Sequence, residues 1–363
     1  MNTQSVEAVP RTDEAEVHIR FLAAEESSVL VDLVREAYGD TYDAEWVYQP
    51  DQIAHRINAN TLRSAIGHLS DGTILGHMAL MVEETTERVM HAGVAVVRDA
   101  ARGHHVFERL KRFGAEWATE AGYLGIFSEA TAAHPYSQKA NIALGAHETG
   151  FLLGWIPSTV ANNAAQDPDA HRQSVALFYL KLNSGENRPI FVPQRHQAIV
   201  ASILETSGLH GEIVQASSDI HIVDESILTV EEKDDHNSAV IHVEIPGLDL
   251  TQVVSRIRID QLEVKGRDAV YLDMPLQVPQ TQIVLEQQED DLQFSFAGIF
   301  PNRDRNGDVL RLQSFGDVDL HIADIVTASD HGQELLAYVL SDLRATSKKM
   351  KVGEQLGQSP TNN

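Results

Sequence analysis

Apolar and polar positions form short strand-like and helix-like patches along this chain, and the order of those patches occurs twice. The alternation His18-Ile19-Arg20-Phe21 leads into Glu25 to Tyr38, where Val29, Leu30, Leu33, Val34 and Ala37 recur at helical spacing. Far downstream, Pro189-Ile190-Phe191-Val192 leads into His196 to Leu209, with Ile199, Val200, Ile203 and Leu204 on one face. Each half therefore begins strand then helix. The first half continues with strands at Ser64 to Leu69 and Ile74 to Val82, joined by the turn residues Ser70-Asp71-Gly72-Thr73. A third strand, His91 to Val97, runs through Arg102-Gly103 into a helix whose buried stripe is Val106, Leu110, Phe113 and Trp117. That helix closes near Gly122. Tyr123 to Glu129 is the next strand, Tyr136 to Leu144 a short helix, and Glu148 to Trp155 and Val175 to Leu182 are strands.

The second half repeats the later part of this order. Val240 to Ile245 reads as strand, Thr251 to Leu262 as helix, Ala269 to Met274 as strand, Thr281 to Gln288 as helix and Leu292 to Phe300 as strand. Ile126 to Pro157 aligns without gaps on Val270 to Pro301. Pro135, Gln138, Gly154 and Pro157 then fall on Pro279, Gln282, Gly298 and Pro301, with Glu129 on Asp273 and Ser137 on Thr281. The matching order of elements predicts an internal duplication. A length of 363 residues suits two domains of about 150 to 180 residues. The predicted boundaries are a flexible 1–16, domains at 17–183 and 188–345 around the polar joint Asn183-Ser184-Gly185-Glu186-Asn187, and a disordered tail at 346–363. The fold class is α/β in the α+β sense, each domain a mixed, mainly antiparallel twisted sheet flanked by helices.

Composition narrows the chemistry. No cysteine is present, which removes disulfides, thiolate metal sites and an enzyme thioester. A formal charge of −25 argues against nucleic acid and anionic membranes as partners. No run of about 18 apolar residues occurs, and Met1 to Glu16 lacks the apolar core of a signal peptide, so the expected location is cytoplasmic. Nothing in the pattern fixes the oligomeric state, and a homo-oligomer is compatible with it.

A strand that enters a glycine-bearing turn and then a helix leaves backbone N–H groups free for a pyrophosphate. Arg98, Arg109, Lys111 and Arg112 lie near this turn in sequence. Here the chain resembles the GNAT superfamily of N-acetyltransferases, whose motif reads Val-x-Pro-x-x-Arg-Gly-x-Gly-x-Gly/Ala. Val97-Arg98-Asp99-Ala100-Ala101-Arg102-Gly103-His104-His105-Val106-Phe107 keeps Arg102-Gly103 and has His105 and Phe107 where the family has small residues. A later family motif, Asn-x-x-Ala-x-x-x-Tyr-x-x-x-Gly-Phe, is similar to His134 through Ala146 with Gly145 kept. The resemblance covers about Val17 to Leu182 and, more loosely, Ile190 to about Phe315, implying a tandem of two GNAT-like domains with a degenerate second copy.

The resemblance implies acetyl-CoA, or another short acyl-CoA, as co-substrate and a small-molecule or peptide amine as acceptor. It assigns the pantetheine and acyl carbonyl to the backbone of Val96 and Val97, and the pyrophosphate to Arg102, Gly103, His104, His105 and Val106. Asn141 stands where the family has the tyrosine that protonates the leaving thiolate, so His134, Tyr136 or water would supply that proton. Glu129, His91 and His134 are the candidate bases for the incoming ammonium. Tyr42, Trp46 and Tyr48 are candidate lining for an acceptor pocket.

The second copy lacks an Arg-Gly pair: Val240 to Ile245 runs into Pro246-Gly247-Leu248-Asp249, and Glu289 replaces Gly145. It is expected not to bind CoA. No metal is expected: His104-His105 point about 100° apart on a helix, and no His-Glu-x-x-His occurs. Asn302 to Gln313 lacks the terminal glutamate of a calcium loop and reads as a polar hairpin. The alternative function is a non-catalytic acyl-CoA sensor or assembly module on the same fold. Reversing the charge at the phosphate turn tests the cofactor reading. Arg102→Glu should weaken acetyl-CoA binding by at least the ~1.5–3 kcal/mol of a charge-assisted contact, measured by calorimetry on a folded variant; unchanged affinity would remove the pyrophosphate from this turn.

Overall fold

Pairing of neighbouring strands draws both halves of the chain into one sheet. The structure, a computed structural model, describes residues 17–83, 86–98, 101, 105–160, 171–305 and 307–357. In the first half β1 (Val17–Phe21) is followed by α1 (Ser28–Tyr38), α2 (Pro50–Asn58), β2 (Leu62–Leu69), β3 (Ile74–Glu83), β4 (Thr86–Val97), α3 (Val106–Glu120), β5 (Gly125–Thr131), α4 (Tyr136–Ala143), β6 (His147–Ile156) and β7 (Gln173–Lys181). The second half contains β8 (Pro189–Ile190), α5 (Gln197–Thr206), β9 (Glu212–Ile213), β10 (Ile227–Lys233), β11 (Ser238–Ile245), α6 (Leu250–Ile259), β12 (Ala269–Pro275), α7 (Pro279–Leu292), β13 (Ser295–Asp304), β14 (Gly307–Phe315) and α8 (Asp330–Gly357). Among the described residues no helix is long and apolar enough to cross a membrane.

The twelve-stranded sheet runs β1-β2-β3-β4-β5-β7-β6-β13-β14-β12-β11-β10. It is mainly antiparallel, with parallel pairs at β4–β5 and β11–β12. The order β3-β4-β5-β7-β6 thus recurs, with the same sense at each pairing, as β10-β11-β12-β14-β13. Gln138 and Gln282 are both fully buried, and each accepts a backbone N–H from a distant extended segment, at Ala328 and Ala216.

In the sheet the two halves are joined through the pair Gly150 opposite Gly298. A Cβ on Gly150 would lie 2.5 Å from the Ala297 carbonyl and 2.6 Å from Gly298 Cα, so only hydrogen side chains permit this approach. The two glycines occupy equivalent positions, because the register shifts at Glu148/Gly150 in β6 and at Phe296/Gly298 in β13. This corrects the gap-free alignment, which sets Gly154 on Gly298. It holds at Glu129 and Asp273, which face Leu177 and Arg311 at the same step of β5–β7 and β12–β14, and fails once α7 exceeds α4 in length. Across the seam Gln313 bonds the backbone of Phe151, Leu153 and Phe296. A single core holds Phe151 and Phe178 of the first half together with Leu272, Phe296, Leu312, Leu335 and Val339 of the second.

Four elements differ from expectation. Strands β10 and β14 close the second half but carry no turn-bounded apolar run of their own in the sequence reading. Helix α2 is short, with Ile53 buried and Pro50 at its first turn. Helix α8 continues past Ser347, where the polar composition predicts a tail, because the segment is rich in helix formers and Thr346 and Ser347 bond back to Asp342 and Leu343. The Asn302–Asp308 stretch is the β13–β14 hairpin, with Asp308 buried and bonded by Arg188 rather than open to a cation.

One irregularity aims the site. Between Ala79↔Gly93 and His77↔Val96, β3 advances two residues and β4 three, which is a bulge on β4. Val94 there has φ 48, a left-handed conformation costly for a β-branched residue. Buried His77 holds it: Nδ1 donates to the Val94 carbonyl at 2.8 Å, and Nε2 accepts from Ser64 Oγ at 2.6 Å. Burial pushes the His77 pKa down to about 4, against the Val94 bond, which opposes the fall.

Two outcomes are expected. The native His77 takes a proton later than the unfolded one, whose pKa is 6.5, so its contribution is full above that value and is lost as pH falls toward 4. Chemical denaturation at pH 7 and pH 4.5 should find that wild type loses more stability on acidification than His77→Leu, by on the order of 2–3 kcal/mol; equal losses would mean the ring is not buried neutral. Gly150→Val should lower stability by about 1–3 kcal/mol through overpacking at the seam, visible as a reduced melting temperature.

Candidate functional site

Just before the bulge, β4 and β5 part. They pair only at Val89↔Gly125, Met90↔Ile126 and His91↔Phe127. Past that point β4 stays with β3 as far as Val97↔Gly76, and β5 stays with β7 as far as Thr131↔Val175. The facing edges from Ala92 and from Ser128 onward do not pair with each other, so the sheet opens into a wedge. Alternation along the strands gives the wedge two faces. His91 and Glu129 look to one, and Ala92 and Ser128 to the other.

The first face is polar. His91 Nε2 lies 2.5 Å from Glu129 Oε2, and the His91 ring stacks on Phe127 with centroids 4.7 Å apart and 2° between planes. Arg303 of β13 lies over Phe127 and Phe300, at 4.9 and 4.6 Å. Burial raises the Glu129 pKa, but the charge and hydrogen bond of His91, with Arg303 behind them, outweigh it and hold the carboxyl down at about 2. Asp43, in the segment after α1, lies with Oδ2 3.2 Å from His236 Nε2. Burial raises the Asp43 pKa, His236 opposes, and Glu129 and Asp235 add to the rise. Tyr42 is pushed well above the ordinary phenol value by burial and then by Asp43. His236 rests against Trp155 with centroids 4.9 Å apart. The side chains of Glu129, Asp43, His236 and His91 are 14%, 18%, 17% and 26% exposed, so solvent reaches each of them. His236 and Arg303 come from the second half, which therefore builds one wall.

The second face holds a small cavity lined by Ala92, Ile126, Ser128, Lys111, Asn141 and Leu144, among others. Lys111 is buried, and its Nζ donates to Asn141 Oδ1 at 2.6 Å. Ser128 Oγ donates to the same oxygen at 3.4 Å, and the ammonium sits 4.9 Å from the Phe107 ring centre. Burial brings the Lys111 pKa down to about 8.

The residues expected from sequence divide as follows. Glu129 and His91 meet on the first face, and Asn141 stands on the second. Val96 and Val97 lie at the end of β4 beside the wedge, Val96 buried and Val97 partly exposed. Arg102, Gly103 and His104 lie outside the described residues. His105 caps α3 in a left-handed conformation, φ 52, which a glycine would adopt without strain, and Val106 is buried beneath it. His134 is half-buried with Nδ1 unbonded among the described residues, and its ring is 5.2 Å from that of Tyr136. Tyr136 is 75% exposed, and neither ring lines the cavity. The basic residues of the phosphate turn disperse: Arg98 bonds Glu36, Arg109 the Val17 carbonyl, Arg112 Glu108, and Lys111 is interior. Tyr48 accepts the Tyr42 amide, and Trp46 packs under Arg56. Asp43, His236 and Arg303 were not singled out from sequence as site residues; they lie in three separate segments with no spacing that links them, and only tertiary contact groups them. His171, His321 and Asp324 also approach one another. The two rings stack, with centroids 3.8 Å apart and 22° between planes, and His171 Nε2 and His321 Nδ1 lie 3.3 and 3.8 Å from the same Asp324 Oδ2.

The second half opens later and over a shorter stretch. Strands β11 and β12 pair through His242↔Asp273, two residue pairs further than β4 and β5. Arg311 binds Asp273 through two bonds of 2.6 and 2.7 Å, and His242 Nδ1 lies 3.2 Å from the same carboxylate.

No protein-family profile and no curated protein matches the chain. Among solved structures it is similar to an N-acetyltransferase from Staphylococcus aureus Mu50, at 16% identity and a TM-score of 0.38 over 47% of this chain and 100% of that one. It is similar to a GCN5-related N-acetyltransferase from Kribbella flavida, at 20% identity and 0.36, over 47% and 100% of the two chains. It is likewise similar to a phosphinothricin acetyltransferase of the GNAT superfamily from Sinorhizobium meliloti, solved in complex with AcCoA, at 17% identity and 0.38, over 47% and 90%.

Proposed function

We propose that the chain moves an acetyl or short acyl group from CoA to a primary amine by direct attack, using the wedge between β4 and β5. The observation that carries this reading is the wedge itself, with unpaired backbone edges and the His91–Glu129 couple on one face. Acyl-CoA, held along those edges with Val96 and Val97, would supply the acyl group as a reactive thioester. The pyrophosphate would lie at the start of α3, where Arg102, Gly103, His104, His105 and Val106 follow one another.

The chain's own residues divide the remaining work. An amine arrives protonated, and a cleft carrying Asp43 and Glu129 attracts a cation. A carboxyl held at about 2 is a weak base, so Glu129 stays ionised, orients His91 and stabilises the imidazolium. In its neutral form His91 accepts the ammonium proton, and the neutral amine attacks. Asp43 and His236 shape the acceptor end. We read the second half as a degenerate copy that has a shorter wedge and serves as the wall of the first.

A second reading, an acyl-CoA sensor without turnover, is favoured by the way Lys111 and Asn141 fill the other face of the wedge. One experiment separates the two. The full chain is incubated with acetyl-CoA and a panel of polyamines, amino acids and peptides, and free CoA and acetylated product are measured. Transfer to an amine is expected, and Glu129→Gln should lower kcat by about 100-fold or more while leaving acetyl-CoA affinity within about threefold. Tight acetyl-CoA binding with no acetylated amine would favour the sensor; no binding at all would overturn both.

A further inference from the structure

Lys111 is a buried cation without a carboxylate partner. Its Nζ bonds a neutral amide oxygen, and among the described residues no acid pairs with it. A buried, unpaired ammonium is costly, and an apolar side chain of similar volume would fill the same space without that cost. Packing alone therefore does not account for a lysine at this position. Its surroundings are neutral: none of the other residues lining the cavity is titratable. Yet the cavity adjoins the edges of β4 and β5 at Ala92 and Ser128, one residue along each strand from His91 and Glu129. Proton-accepting groups thus occupy one face of the wedge and a single proton donor the other.

Acyl transfer needs this division. When the amine attacks, the C–N bond forms, the C–S bond breaks, and the electron pair leaves on sulfur. The amine gives up two protons on the first face, one from the ammonium before attack and one from the C–N nitrogen as the C–S bond breaks, each passed through His91 to solvent, and the departing thiolate needs one from somewhere else. We propose that Lys111 is that source: its Nζ gives a proton to the departing CoA thiolate, with Asn141 Oδ1 and Ser128 holding the ammonium in position. This role rests on the acyl-transfer reading above. The product is the free thiol, and the neutral Lys111 amine regains its proton from water before the next turnover. The neutral form is tolerated in an apolar cavity for the same reason that the ammonium is not. Burial has already brought the pKa to about 8, close to neutral pH, where a group is mostly protonated and yet gives its proton readily. His134 and Tyr136, which the sequence offers for this task, lie outside the cavity lining.

The test uses the full chain with acetyl-CoA and an amine that the wild type acetylates. Lys111→Met removes the donor and retains the volume; Lys111→Gln retains a hydrogen bond to Asn141 and has no proton to give. Both should lower kcat by about 100-fold or more with acetyl-CoA affinity within about threefold of wild type. The wild-type kcat should fall on the alkaline side near pH 8, and that limb should vanish in both variants, which a merely structural role would not produce. Folded variants within about threefold of wild-type turnover would overturn the assignment. So would a loss of acetyl-CoA affinity as large as the loss of kcat, which would make Lys111 a binding group, or an acetyl group found on Lys111 by mass spectrometry, which would make it a nucleophile. A wild type that acetylates no amine would instead defeat the underlying acyl-transfer reading, and the assignment of Lys111 with it.

Discussion

The departure of β4 from β5 after three residue pairs is the constraint on which the site depends. Parallel strands normally satisfy each other's N–H and C=O groups along their whole shared length, and leaving an edge unpaired costs free energy unless water or a ligand replaces the partner. Here the unpaired stretch of β4 carries the extra residue around Val94. The left-handed conformation at that valine is held by a neutral histidine that reaches it from β3. His77 thus acts at a distance from the chemistry: it contributes no group to the cleft, yet the direction of β4 past Gly93 follows from its bond to the Val94 carbonyl.

The wedge would be an open slot without the second half. Arg303 and His236 reach it because β6 and β13 lie side by side, and they lie side by side because Gly150 and Gly298 allow two backbones to touch. Gln313 and the shared core fix that approach. The segment leading into α8 fastens it further, with Val326 and Ala328 bonded to Ala132 and Gln138, and Ser329 bonded to Glu148. A residue far from the cleft, such as Gly150, is therefore coupled to the charge balance at Glu129 through the position of Arg303.

Much of this frame was legible in the chain. Strands at Ile74 to Val82 and Val175 to Leu182 and the amphipathic helix from Val106 follow from apolar spacing, and the equivalence of Glu129 with Asp273 follows from a short gap-free match. The match fails at Gly154 because α7 runs longer than α4, and a change of helix length leaves no mark in a local pattern of identities. The basic cluster misled for a different reason. Arg98, Arg109, Lys111 and Arg112 are close in sequence, but a helix turns neighbours to different sides, and each found its own partner. Glu129 and His91 were visible as candidates because both lie on strands flanking the motif. Arg303, Asp43 and His236 were not, since a single charged residue in a loop or strand end has no signal until the fold supplies its neighbours.

The two halves share one framework and differ in how a single carboxylate is answered. Asp273 of β12 faces Arg311 on the neighbouring strand, and the two form a bidentate pair inside the protein. At the equivalent step Glu129 of β5 faces Leu177, which offers no charge. The second half therefore neutralises its carboxylate locally and keeps its parallel strands paired two residues further. In the first half the carboxylate is answered from outside its own sheet position, by His91 across the wedge and Arg303 from the other half. A histidine can take up and release a proton in a way that an arginine cannot. Both carboxylates have a histidine beside them, His242 at Asp273 and His91 at Glu129; leucine in place of arginine at one strand position removes the bidentate partner from Glu129 alone and leaves its balance to the titratable ring.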